Sequence, residues 1–169
     1  MSVTLNAVFA KLAQLEESKV PSPDENITFS YFLLDRPSST TLYKWAQDNN
    51  IKNVEAPEKM HSTVVYSRVP FKGYNTYQNN LTLSPTTYRL ATLNGALVLI
   101  YNHPIVKQQN RIARNCGAQS DYPIFIQHIT ISYSPGPIQR FLFNKLLIPR
   151  FPITFTREYL ESITADTNI

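Results

Sequence analysis

Cysteine, histidine and long apolar runs are all scarce in this 169-residue chain, and each shortage excludes something. The lone Cys116 excludes an intrachain disulfide framework and fits a reducing compartment. The longest uninterrupted apolar run, Ala96 to Tyr101, falls far short of the about 20 residues that a membrane helix needs. Lys11, Glu16 and Glu17 interrupt any apolar stretch near the start, so no signal peptide is expected. The three histidines, His61, His103 and His128, contain no H-x-x-x-H pair, and a single cysteine makes no C-x-x-C; the expectation is no metal and no cofactor. The charge balance of +4 suits an anionic ligand, yet it lacks the basic stripe of a protein that tracks long nucleic acid. What is plentiful is a core: 43% hydrophobic and 12% aromatic residues describe a globular chain. One domain spanning residues 1–169 is expected, soluble and cytoplasmic.

Periodicity and turn chemistry divide it. Val8, Phe9, Leu12 and Leu15 predict an amphipathic helix over about residues 4–18, ended by Pro21 and Pro23. Ile27 to Asp35 alternates as a strand, with Phe29, Tyr31 and Leu33 on one face. A helix with a serine cap follows from Pro37-Ser38-Ser39 to about Asn49. Further strands are expected at Met60–Ser67, Leu81–Leu93, Ala96–Tyr101, Ile124–Ser134 and Ile153–Thr156. Asn94-Gly95 is a strong hairpin signal, and Phe71 to Asn80 reads as a loop. Pro104 opens a helix to about Asn115 with Gly117 as its C-cap, and a short helix is expected near Gln139–Asn144. Alternating helices and strands with a tight central hairpin imply an α+β fold with largely antiparallel sheets.

One internal repeat carries chemistry. His61-Ser62-Thr63-Val64-Val65-Tyr66-Ser67 aligns with His128-Ile129-Thr130-Ile131-Ser132-Tyr133-Ser134, giving H-x-T-[V/I]-x-Y-S twice. On a strand, His and Thr of each copy share a face. Val64 and Tyr66, like Ile129, Ile131 and Tyr133, are expected to point the other way, into the core. Two imidazoles and two hydroxyls across a cleft suit metal-free phosphoryl chemistry. A neutral His removes a proton from the attacking hydroxyl or water, and an imidazolium protonates the leaving oxygen. The Thr63 and Thr130 hydroxyls donate to the non-bridging oxygens. His103, just before Pro104, reads as structural.

The paired HxT motifs resemble the signature of the 2H phosphoesterase superfamily. That resemblance implies a bilobal fold of two pseudo-symmetric, largely antiparallel sheets flanked by helices, with a metal-independent cleft between the lobes. KWAQDNNI followed by VEAPEKMHSTVVYSR, and later GALVLIYNHPIVKQQNRIARNCGAQSDYPIFIQHITISYSPG, are similar to blocks of the phage anti-CBASS nucleases, from about Ile27 to Ile163. Residues 1–20 lie outside the match. The family likeness implies a phage enzyme that cleaves 3′–5′ bonds of cyclic di- and trinucleotide immune signals in the host cytoplasm, using His61, Thr63, His128 and Thr130. It also implies substrate contacts from an aromatic on the first strand (Tyr31, with Phe29 as alternative), an aromatic near the hairpin (Tyr88) and a C-terminal glutamate (Glu161 over Glu158). Trp45 is expected to be core. Two alternatives use the same motifs: a phosphodiesterase that opens 2′,3′-cyclic phosphates on RNA ends, and a non-enzymatic sponge for cyclic nucleotides. A sponge has no need of a matched acid and base.

Overall fold

In the computed structural model, residues 27–120, 122–138 and 147–163 are described. The helices expected at 4–18 and near 139–144, and the connector at 21–25, lie outside them. Strand β1 (Ile27–Leu34) leads into helix α1 (Arg36–Asp48). The cap of α1 is Asp35 rather than a serine: its carboxylate accepts from the Ser38 N–H at 2.8 Å, satisfying one of the open donors of the first turn. Leu42 and Ala46, four apart, are buried on its inner side. Asn50, at φ 58°, takes the left-handed conformation that stops the helix.

A single 3₁₀ turn at Pro57–Lys59 precedes β2 (His61–Ser67). The expected strand Leu81–Leu93 is two strands. Pro85 has no N–H to donate and opens a 3₁₀ turn at Pro85–Thr87, which separates β3 (Leu81–Leu83) from β4 (Arg89–Leu93). The halves then go to different sheets. Asn94 and Gly95, both at positive φ, close the expected hairpin into β5 (Ala96–Ile100). Helix α2 (Pro104–Asn115) has the expected bounds. Its end is a Schellman arrangement in which Cys116 is the cap and Gly117, at φ 102°, the residue after it; Gly117 N–H reaches Arg114 O at 3.0 Å and Ala118 N–H reaches Ala113 O at 3.1 Å. Strand β6 (His128–Ser132) is shorter than expected, and β7 (Ile153–Ile163) is far longer. The polar run Thr156–Glu161 does not alternate as a strand should, but β1 pairs with it along almost its whole length.

Two antiparallel sheets result, in the order β2-β1-β7-β3 and β4-β5-β6. Phe32, Leu42, Met60, Leu97, Leu99, Ile129, Ile131 and Phe155 form one core shared by both. Removing a ring such as Phe155 from it would cost about 3–5 kcal/mol. Residues 52–55 stitch the sheets together: Glu55 N–H donates to Ile131 O at 2.8 Å, Val54 bridges Ser132, and Ser132 Oγ donates to Lys52 O at 2.6 Å. The chain then runs straight into β2, so β2 of one sheet and β6 of the other pack against each other. These are the two strands that carry the repeat.

Candidate active site

Antiparallel partners share a face of the sheet, so pairing shows what accompanies each motif residue. In the first sheet His61 opposes Leu33 and Thr63 opposes Tyr31. In the second, His128 opposes Ile100 and Thr130 opposes Val98. Each strand then breaks its ladder at the same place. Ser30 pairs with Val65 while its neighbour Tyr31 pairs with Thr63, so Val64 is skipped; likewise Leu97 pairs with Ser132 and Val98 with Thr130, skipping Ile131. Both skipped residues stand three places after the histidine, and both side chains are buried in the core.

A bulge leaves a carbonyl without its ladder partner, and a buried one needs another donor. Asn110 of α2 supplies it to Val64 O at 2.7 Å, and the Glu55 N–H supplies it to Ile131 O. Two unrelated donors thus stabilise the same irregularity in both lobes. The bulge also shifts the alternation by one. Tyr66, expected in the core, lies opposite Phe29 on the face of His61 and Thr63, with ring centroids 6.2 Å apart. Tyr133, expected to be buried, is 61% exposed.

The two imidazoles are held alike. Nδ1 of His61 is 2.7 Å from Lys59 O, and Nδ1 of His128 is 2.8 Å from Ile126 O, in each case the carbonyl two residues upstream. A carbonyl only accepts, so Nδ1 of each ring donates the proton in that bond, and Nε2 is the ring nitrogen outside it. Such a backbone bond also fixes ring orientation.

The lobes differ in what surrounds the histidines. Phe29 and Tyr31 stack at 4.8 Å, Tyr31 and Tyr159 stack at 5.6 Å, and the Arg157 guanidinium carbon lies 4.5 Å from the Tyr159 centroid. His61 stands edge-on to Phe29 and Tyr31 at 5.6 and 5.5 Å. In the second lobe aliphatic Val98 holds the place of Tyr31, opposite Thr130, while Ile100 opposes His128 as Leu33 opposes His61. Tyr31 and Glu161, singled out separately in the sequence, meet: the Tyr31 hydroxyl donates to Glu161 Oε1 at 2.7 Å. Burial, and then the Glu161 carboxylate, raise the Tyr31 phenol above its ordinary range, so it remains a donor. The Arg157 side chain has the opposite effect on Tyr159, lowering its phenol. As the middle ring of the row, Tyr31 offers a ligand its edge and hydroxyl more than a face.

Tyr88 is not brought to this face. It is 4% exposed in the common core, where burial pushes its phenol up to about 12, and its hydroxyl reaches Leu83 O at 3.4 Å. Trp45 is half-buried against the core, as expected, donating to Leu147 O at 3.2 Å. His103 caps α2: its Nδ1 accepts from the Ile105 N–H at 3.2 Å, and burial lowers its pKa. Glu158, the alternative to Glu161, has a different position. It is 1% exposed and accepts hydrogen bonds from Ser30, Tyr74, the Tyr77 N–H at 2.8 Å and Gln109 at 2.7 Å. Its carboxylate joins β1, β7, α2 and the segment at 74–77. Tyr66, Tyr159, Arg157 and Asn110 stand near the motifs through tertiary structure. Only Tyr66 had a signal in the sequence, its repetition as Tyr133. Among the described residues no group of three or more His, Cys, Asp or Glu side chains is placed to hold a metal ion. Nor is any helix there long and apolar enough to cross a membrane.

Known proteins share both the sequence and the fold. The family profile of anti-CBASS protein Acb1 matches residues 28–169. Anti-CBASS protein Acb1 of Salmonella phage S16 is 32% identical over 116 residues, covering 67% of this chain and 72% of that protein. Its counterpart from Enterobacteria phage T4 is 29% identical over 119 residues, covering 69% and 74%. Among solved structures, a phosphoesterase superposes with a TM-score of 0.57 at 13% identity, over 82% of this chain and 88% of that one. E. coli LigT in complex with 3′-AMP superposes at 0.54 and 12% identity, over 82% and 88%. At such identities these two structures speak for the fold, the α+β arrangement of 2H phosphoesterases. With a family profile matching most of its length and relatives of like sequence, the chain belongs to the anti-CBASS Acb1 family.

Proposed function

We propose that this protein hydrolyses 3′–5′ bonds of cyclic di- and trinucleotide immune signals in the cytoplasm of a phage-infected host, by acid–base catalysis between His61 and His128. The observation that carries the reading is the duplicated strand: the same HxT, the same bulge and the same Nδ1-to-carbonyl anchor occur in both lobes. A matched pair of imidazoles, each anchored through Nδ1, is what a reaction needs when one proton is taken and another given in the same step.

Nε2 of one histidine takes the proton of a ribose 2′-hydroxyl. The 2′-oxygen attacks the adjacent phosphorus, and the 5′-oxygen leaves with a proton from Nε2 of the other, giving a linear product with a 2′,3′-cyclic phosphate. Water then opens that ring with the two roles exchanged. Thr63 and Thr130 donate to the non-bridging oxygens as charge builds on them. Phe29, Tyr31, Tyr66 and Tyr159 give the first lobe an apolar, aromatic wall against which bases pack, and stacking tolerates several base identities. Tyr31 and Glu161, already hydrogen-bonded, meet the polar edge of a base.

The test is incubation with 3′,3′-cyclic GMP-AMP in the presence of a chelator, with products identified by mass spectrometry. Wild-type protein should yield linear product. His61→Ala and His128→Ala should each lose about 10²–10⁴-fold in turnover. Intact nucleotide recovered from the wild-type protein would favour a sponge, and neither product nor binding would redirect the search to RNA ends bearing 2′,3′-cyclic phosphates.

A further inference from the structure

The aromatic row beside His61 ends in a cation. Beyond Tyr159 the next group is the Arg157 guanidinium, exposed, with Nη1 donating to the neutral Gln78 Oε1 at 3.4 Å. Among the described residues no carboxylate forms an ion pair with it. An arginine stacked on an aromatic face is pre-organised, and its remaining N–H groups match the spacing of phosphate oxygens.

Arg157 and Tyr159 also line a groove of about 330 Å³, bounded on the other side by Asn75, Thr76 and Gln78. The groove exists because β3 pairs with β7 only at residues 153–155, leaving the outer edge of β7 beyond it to the 74–78 segment. That segment is tied down: Glu158 N–H donates to Tyr77 O at 2.9 Å, and the buried Glu158 carboxylate accepts from Tyr77 N–H and from Tyr74. The wall is therefore built into the fold and not assembled by a ligand.

β1 separates β7 from β2, so Arg157 stands two strand spacings, roughly 10 Å, across the sheet from the strand of His61. An anion it holds is not the phosphate under attack. In a cyclic dinucleotide both phosphates belong to one compact ring. A third nucleotide lengthens the ring by half and carries a phosphate away from the cleavage site.

We propose that Arg157 and the adjoining groove form a subsite for the remote nucleotide of a cyclic trinucleotide, with the guanidinium on its phosphate and the amides of Asn75 and Gln78 beside its base. This rests on the cyclic-oligonucleotide reading above and assigns a specificity-determining residue to it. The experiment compares wild type, Arg157→Gln and Arg157→Lys on cyclic triadenylate and on 3′,3′-cyclic GMP-AMP, measuring kcat and KM for each. Arg157→Gln should lower kcat/KM on the trinucleotide by about tenfold or more, chiefly through KM, and by far less on the dinucleotide. Arg157→Lys should fall between, and the salt dependence of the trinucleotide KM should flatten in Arg157→Gln. Dinucleotide turnover serves as the control for folding. Equal losses on both substrates, no loss on either, or a wild type that cleaves only the dinucleotide would overturn the subsite alone. A wild type that cleaves neither would overturn the cyclic-oligonucleotide reading as well.

Discussion

Replacing Glu158 by leucine separates a buried carboxylate that organises the fold from one that merely occupies space. Leucine would leave the fully buried Ser30 hydroxyl and the Tyr77 N–H without the acceptor they use, and Tyr74 would lose its acceptor too. Gln109 keeps alternatives in Asn75 O at 3.1 Å and the Tyr74 hydroxyl at 3.2 Å. Each stranded donor costs about 1–3 kcal/mol, and the apolar side chain gains back about 1–2 kcal/mol by its own burial. For the three donors the net loss is about 2–7 kcal/mol, a large share of the roughly 5–15 kcal/mol that holds a domain folded. Glutamine is the control. Its oxygen can serve Tyr77 and Gln109 while its NH₂ donates to the Ser30 and Tyr74 hydroxyls, so the geometry survives and only the charge assistance is lost, about 1–2 kcal/mol. In urea denaturation, with a slope of about 1–3 kcal/mol per molar, the leucine variant should unfold about 1–3 M earlier than wild type and the glutamine variant less than 1 M earlier. Leucine and glutamine variants with the same midpoint would refute the accounting, and so would a leucine variant more stable than wild type.

Three further outcomes are expected. Thr63→Ala and Thr130→Ala should lower kcat by up to about 10²–10³ with KM little changed; a loss confined to KM would remove the oxyanion role. Asn110→Leu leaves the Val64 carbonyl of the bulge unpaired and should cost about 1–3 kcal/mol, read as a drop of about 2–12 °C in Tm; an unchanged Tm would show that the bulge does not depend on that bond. His103 gives a pH dependence. Burial sets its folded pKa below its unfolded one, so the unfolded chain takes up the proton first, and the stability His103 contributes is present above about pH 6.5 and lost as pH falls below it. His103→Asn, which can cap through an oxygen that does not titrate, should flatten the fall in urea midpoint between pH 8 and pH 5, and identical slopes for both proteins would contradict the capping role.

The parts of the fold that could be read in advance are those with local causes. Asn94-Gly95 makes a hairpin because two consecutive residues tolerate positive φ, and Pro104 and Gly117 bracket a helix because one lacks a needless N–H and the other takes a left-handed end. The apolar pattern from Leu81 continues past Pro85 to Leu93, but the missing N–H of Pro85 ends the strand at Leu83. β7 runs past the four residues its own composition marks because its regularity comes from its partner β1. Alternation put Tyr66 in the core; the bulge that turns it outward is set by which residue of β1 it faces and by a donor on α2.

By itself the sequence determined that two histidines and two threonines form duplicate motifs, each with its pair on one face of a strand, because a period of two is a property of the extended backbone alone. Only the tertiary structure decided which neighbours those motifs have. Pairing across strands placed an aromatic row ending in Arg157 beside His61 and aliphatic side chains beside His128. Packing buried Tyr88 and made Glu158 a structural anchor while leaving Glu161, three residues on, exposed to meet Tyr31. Those outcomes depend on residues 28 to 130 positions apart in the chain, whose approach is paid for by the core as a whole and is written in no local pattern.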